Sequence, residues 1–190
     1  MGEGFYSDKR SKFLAFAHHA ETIEEIKALV ELHRKKYYDA RHVCYAYIIG
    51  SDGGISRAND DGEPSSTAGK PILRQIQSNG LTNTLVIVVR YYGGINLGTS
   101  GLIVAYREAA ADALAHSTIE ERLVEDIIVC QFPYEAMNDV MKIIKELQPR
   151  IIEQQFDNAC QITLRVRRSY SEILKNRLSK YVIILLKFRK

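Results

Sequence analysis

Residues 85–89 (L-V-I-V-V) are consecutive, apolar, mostly β-branched and bounded by turn residues, so they read as a buried strand. What flanks this strand constrains the fold more than any other feature of the chain. Before it comes N-D-D-G-E-P-S-S-T-A-G-K-P-I-L (59–73), and after it Y-Y-G-G-I-N-L-G-T-S-G-L-I-V-A-Y (91–106). An ordinary core does not need such a density of glycine, carboxylate and hydroxyl around one strand. Arg90 stands where the strand ends, and Gly93 and Gly94 then permit backbone angles closed to other residues. Gly98 and Gly101 lie just before a helical pattern made by Leu102, Ala105, Tyr106, Ala109 and Ala113. A glycine-rich connection into a helix leaves backbone N–H groups free at the helix start, where an anion is favoured. A tight structural turn would use the same glycines.

The remaining elements follow from periodicity and caps. Residues 12–17 alternate weakly as a first strand. Thr22 and Glu25 form a capping box ahead of a helix over about 23–36, whose apolar face holds Ile23, Ile26, Leu29 and Val30, with His33 as a packed histidine. A strand at 42–49 turns back through Ser51-Asp52-Gly53-Gly54 into a short one at 55–58. Residues 59–69 are a loop, Pro71 opens a short helix, and Asn79-Gly80 ends it. After the strand at 85–90, a helix over about 101–115 completes a first unit. The second unit reads strand 124–132, helix 134–147, strand 150–156, a turn at Asp157-Asn158, strand 160–167, helix 171–178 and strand 181–188. That order is βαββαβ, the ferredoxin-like split unit. The expected domains are therefore 1–122 and 123–190, divided in the charged E-E-R segment, and the fold class is α/β (α+β).

Charge is unevenly divided. Residues 1–125 carry 14 Lys and Arg against 16 Asp and Glu, whereas residues 126–190 carry 12 against 7. Within 165–190 there are nine basic residues and one acidic, Glu172. Arg165 and Arg167 alternate with the inward Ile162, Leu164 and Val166, and Arg168, Lys175, Lys180, Lys187 and Lys190 follow. Both helices of a ferredoxin-like unit cover one sheet face, so the open face is expected to be basic and to bind nucleic acid. Solvated surface charge gives the same count. No apolar run approaches the ~20 residues of a membrane helix, and no apolar signal core opens the chain. Three cysteines, Cys44, Cys130 and Cys160, are odd in number and lack C-x-x-C spacing, which fits free thiols in a cytoplasmic protein.

Several catalytic motifs fail on spacing. Gly62 and Gly69-Lys70 are too far apart for a phosphate loop, and Pro71 stands where Ser or Thr would bind magnesium. Gly98-Thr99-Ser100-Gly101 is not a nucleophile elbow, and Asp60-Asp61-Gly62-Glu63 lacks the alternating ligands of a calcium loop. That acidic loop has three readings: ligands to a hard cation, ion-pair partners for Arg57, Arg90 or Lys70, or carboxylates capping a tight turn. Arg41-His42 before Cys44 supplies a histidine that could act as a base.

The blocks A-R-H-V-C-Y-A-Y (40–47), 59–73 and V-V-R-Y-Y-G-G-I-N-L-G-T-S-G-L-I-V-A-Y (88–106) resemble the signature blocks of the IMPACT/YigZ family. The resemblance implies a ribosomal-protein-like β/α module followed by a domain like the ferredoxin-like domains of elongation factor G. Eukaryotic relatives restrain an initiation-factor kinase through an extra N-terminal domain that has no counterpart here. The implied role is therefore RNA or ribosome binding, in the setting of translation. Four positions depart from the family pattern: Ser66 and Ser100 replace glycines, Asn96 a lysine and Val104 an arginine. His42, Asp60, Asp61, Glu63, Lys70, Arg90, Gly93 and Gly94 match it, and they are the candidate cleft residues of the first domain. Arg165, Arg167, Arg168, Lys175 and Lys180 are the candidate nucleic-acid contacts of the second. This reading is a non-enzymatic binding protein with no cofactor, no metal and no membrane, its partner an RNA or a ribosome-associated factor. The alternative is a metal-assisted hydrolase of a phosphoester or peptide, with Asp60, Asp61 and Glu63 as ligands and His42 as base.

Overall fold

A computed structural model describes residues 1–156 and 160–186. The turn expected at Asp157-Asn158, the last strand beyond 186, and Lys187 and Lys190 lie outside the described residues. The chain is a mixed α/β protein of two units, Met1–Glu120 and Glu121–Lys190.

The first unit is built on β5 (Thr84–Tyr91), the central strand of an antiparallel sheet. Its neighbours are β2 (Ser11–His19) and β3 (His42–Ile49), and the edges are β1 (Gly2–Asp8) and β4 (Ile55–Asn59), in the order β1-β2-β5-β3-β4. Val86 and Val88 point to a core shared with α2 (Gly69–Ser78) and α3 (Gly98–Ala115). Leu85, Ile87 and Val89 point to the opposite core, closed by Ile26 and Val30 of α1 (Ile23–Lys36). Because helices cover both faces, β5 carries an unbroken apolar run instead of an alternating one. Arg90 continues the alternation and so faces the α2–α3 side, in register with Phe13 and His42. Beneath α3 the sheet presents Ala15 and Ala17, and α3 answers with Ala105, Ala109, Ala110 and Ala113, all 4% exposed or less. Small residues on both sides let the helix lie close to the sheet.

Strand β1 is absent from the expectations above, because Gly2, Gly4 and the polar residues between them hide its alternation. The glycines are what the packing requires. A Cβ at Gly2 would collide with the Ala113 carbonyl and Ser117, and one at Gly4 with the backbone of α3 at Ala109 and Ala113. Asp112 of α3 also accepts the Phe5 N–H at 2.8 Å. Two helix starts move as well. The helix expected from Pro71 begins at Gly69, and the one expected from Gly101 begins at Gly98. In α1, Thr22 caps the Glu25 N–H at 3.2 Å, while Glu25 reaches back to the N–H of Glu21, one residue beyond the usual partner.

The second unit orders its sheet β7-β8-β6-β9, with β6 (Glu125–Phe132), β7 (Arg150–Phe156), β8 (Cys160–Arg167) and β9 (Ile183–Leu186), all antiparallel. Both helices, α4 (Met137–Leu147) and α5 (Arg168–Leu178), pack on one face through Val140, Ile143, Ile144, Leu174 and Leu178. This is the ferredoxin-like arrangement. Helix α5 starts at Arg168, three residues before the expected position.

The packing of β1 gives the first prediction. Gly4→Val should lower stability by about 1–3 kcal/mol, the usual penalty of overpacking, read from the midpoint of urea unfolding. A variant as stable as the parent would show that β1 does not press on α3.

Candidate functional site

Placing Arg90 on the α2–α3 side of the sheet buries a cation; only 5% of the residue is exposed. A buried charge survives only with an ionic partner. Glu63 supplies it, with Oε1 2.5 Å from Arg90 Nη1 and a side chain only 3% exposed. Tyr106, wholly buried on α3, donates its hydroxyl to the same oxygen at 2.8 Å. His42 lies across the site, with Nε2 3.8 Å from Glu63. Its Nδ1 is 2.7 Å from the Asp61 carbonyl; since a carbonyl only accepts, Nδ1 carries the proton. The Arg90 guanidinium also lies 5.5 Å from the ring centres of Phe13 and Tyr92.

Each carboxylate of the acidic loop has a separate occupation. Asp60 accepts the backbone N–H groups of Ser66, Ala68 and Gly69 at 2.9, 3.0 and 2.8 Å. It thus caps α2 from eight and nine residues upstream, which lets the helix start before Pro71. Asp61 accepts the Val43 N–H at 2.7 Å and pairs with Arg34 at 2.6 Å. Glu63 holds Arg90. Among the described residues no group of three or more His, Cys, Asp or Glu side chains is gathered as for a metal ion. The partner of Asp61 is Arg34, which spacing did not suggest, and neither Arg57 nor Lys70 pairs with the loop. Lys70 is exposed on the first turn of α2.

The loop also carries strained backbone. Asp61 and Ser66 have φ of +43° and +64°, and Gly62 +84°. Ser66 is the position where the family pattern has glycine, and the structure holds it in the left-handed region. The two glycines after β5 differ in what they supply. Gly94 has φ +82°. Gly93 does not take a positive φ; its lack of a side chain lets the backbone of Arg10 and Ser11 pass close by.

Beside this cluster opens a cleft of about 560 Å³ lined by Arg41, His42, Glu63, Pro64, Arg90, Tyr92, Asn96, Leu97, Gly98, Thr99 and Leu102. Of the eight candidates in the first domain it gathers His42, Glu63 and Arg90. Asp60, Asp61, Lys70, Gly93 and Gly94 stand outside its lining. Tyr106 was missed, although a tyrosine on an alanine-rich helix face signals a buried hydroxyl in need of an acceptor. Cys44 Sγ is 3.1 Å from the Asp60 carbonyl and 3.3 Å from the Tyr106 hydroxyl. Burial pushes its thiol well above the ordinary range, so it stays protonated and unreactive. Burial likewise raises the Tyr106 phenol, with Cys44 and Glu63 adding to the shift.

In the second unit the five basic candidates separate. Arg165 and Arg167 lie on the open sheet face, opposite Ile127 and Glu125 of β6. Glu125 is 3.9 Å from Arg165, and Arg150 of β7 sits beside it. Arg168 begins α5 and pairs with Asp126 at 3.1 Å on the helix-covered face. Lys175 pairs with Glu172 on α5 at 2.8 Å, and Lys180 is exposed in the turn after that helix.

Two substitutions should move stability in opposite directions. Glu63→Gln leaves Arg90 buried without its counter-ion and should cost about 3–5 kcal/mol. Ser66→Gly removes a left-handed penalty of about 1–2 kcal/mol, partly offset by the ~0.4–1 kcal/mol of chain entropy that glycine adds to the unfolded state. A modest gain should therefore appear in urea unfolding. A Glu63→Gln protein of parental stability, or a clearly weakened Ser66→Gly, would contradict this account of the loop.

Comparison with known proteins places these features in a family. A family model of the Impact N-terminal domain matches residues 9–114. IMPACT family member YigZ of Escherichia coli (strain K12) is 36% identical over 152 residues, covering 78% of this chain and 74% of its own. IMPACT family member YvyE of Bacillus subtilis (strain 168) is 35% identical over 140 residues, 74% of this chain and 64% of its own length. A crystal structure of a hypothetical protein aligns at TM-score 0.71 and 28% identity, covering 100% of this chain and 95% of that one. The chain belongs to the IMPACT family.

Proposed function

We propose that this chain is a single-stranded RNA-binding protein with a translation-regulator-like role, not a hydrolase. The observation that carries this reading is how the acidic loop spends its carboxylates. Asp60, Asp61 and Glu63 are engaged by backbone N–H groups, Arg34 and Arg90. The cleft next to them therefore draws its donors from Arg41, Arg90 and the start of α3. A site rich in donors receives an anion, and the anion that recurs along a polymer in the setting of translation is the RNA phosphate. The same bonds argue against the metal-assisted alternative, since its three proposed ligands already have partners.

The second unit adds a weaker, sequence-tolerant surface. Arg165 and Arg167 stand two residues apart on an open strand face with Arg150 alongside, and Arg167 has no ion pair among the described residues. Glu125 and Glu153 share that face and moderate its charge. Base-stacking aromatics are sparse there, so sequence preference should be slight.

The test is fluorescence anisotropy of a labelled single-stranded RNA with the full chain across a salt series. Each phosphate contact contributes a slope of about −0.7 in log affinity against log salt. The double variant Arg165→Ala, Arg167→Ala should flatten the slope by roughly 1.4 units. Absence of binding at low salt, or an unchanged slope in the variant, would overturn the RNA reading.

A further inference from the structure

The α3 N-terminus differs from a capped helix start in three independent ways. No side chain caps it, and the N–H groups of Gly98, Thr99 and Ser100 have no acceptor among the described residues. Leu97 lies in the right-handed helical region (φ −82°, ψ −25°) and Gly98 follows at φ +74°, the alternation that folds successive N–H groups into an anion-receiving nest. Third, Arg90, which lines the same cleft, has Nη1 held by Glu63, while its buried Nε has no hydrogen-bond partner among the described residues. An orphaned donor on a charged group buried to this degree is costly unless an acceptor arrives.

The cleft has a second end of different chemistry. Tyr92 is 47% exposed and lines it, with its hydroxyl donated to Asn96 Oδ1 at 3.1 Å. That bond and the Arg90 guanidinium 5.5 Å away hold the ring in place. A fixed, half-exposed aromatic face is a stacking surface for a nucleobase. A volume of about 560 Å³ is in the range of small-ligand pockets.

We propose that this cleft binds a nucleotide through a phosphate monoester. The phosphate sits over the first turn of α3 and takes hydrogen bonds from the N–H groups of residues 98–100, with Arg41 and Arg90 supplying positive charge. The base lies against Tyr92. The terminal phosphate of an RNA and a free nucleotide present the same group. The inference rests on the RNA reading only for the choice between those two sources, because the donors themselves are a property of the cleft.

The experiment is isothermal titration of the full chain with AMP, adenosine, and 5′-phosphorylated and 5′-hydroxyl RNA tetramers, at low and at moderate salt. AMP should bind and adenosine should not. Thr99→Glu puts a carboxylate where the phosphate would sit, yet an acid in the first turn favours the helix, so melting temperature should hold or rise while AMP affinity falls. Arg41→Ala, on an exposed side chain, should weaken AMP roughly tenfold or more, the loss of one charge-assisted hydrogen bond. A preference for the phosphorylated tetramer, abolished by the same variants, supports the inference and assigns the phosphate to an RNA end. AMP binding with no difference between the tetramers supports it and assigns the phosphate to a free nucleotide. Adenosine binding as well as AMP overturns it, as does AMP affinity indifferent to both substitutions. Failure of AMP to bind at low salt also overturns it, even where both tetramers bind, in which case the RNA reading stands on the open sheet face alone.

Discussion

Everything distinctive about the first unit follows from one buried charge. The alternation of β5 turns Arg90 inward at the end of an apolar strand, among Phe13, His42 and the first half of α3. A lone guanidinium there would be prohibitively expensive, so the acidic loop must fold over it and deliver Glu63. Once Glu63 is in place, Tyr106 is drawn to the same oxygen, which links α3 to the loop. Asp60 and Asp61 then fasten the loop's other end to α2, β3 and α1. The strained backbone at Asp61 and Ser66 is tolerated because these bonds over-determine the loop.

That arrangement also separates charge. Asp60 and Asp61 turn toward partners inside the protein, and Glu63, the one acid in the cleft lining, is held by Arg90 and Tyr106. A sequence with three acids in four residues thereby borders the cleft proposed above to take an anion. Asn96 brings no charge to the lining, so in the proposed site the backbone N–H groups, Arg41 and Arg90 would carry the recognition.

Elements with strong periodicity were legible in the sequence: β5 from its apolar run, α1 from its cap, and the βαββαβ order of the second unit from its alternating strands. Strand β1 was not, because Gly2 and Gly4 are chosen for what they leave out, and a missing side chain has no periodicity. The start of α2 was misplaced since its cap comes from Asp60, far outside any local motif. His42, Glu63 and Arg90 were legible as a group. Which carboxylate meets which cation was not, since the pairs Arg34–Asp61 and Arg90–Glu63 each span 27 residues and depend on strand register. The basic residues of the second unit illustrate the same limit. Arg167 and Arg168 are adjacent in sequence, but the strand ends between them and sends them to opposite faces.

If the acidic loop is a structural clamp and not a metal site, thermal unfolding of the full chain shows it most directly. With and without magnesium or manganese, the melting temperature should be unchanged, and Asp61→Asn should lower it equally in both conditions through loss of the Val43 and Arg34 contacts. A metal-dependent rise in melting temperature that disappears in Asp61→Asn, with the metal-free variant as stable as its parent, would contradict the account.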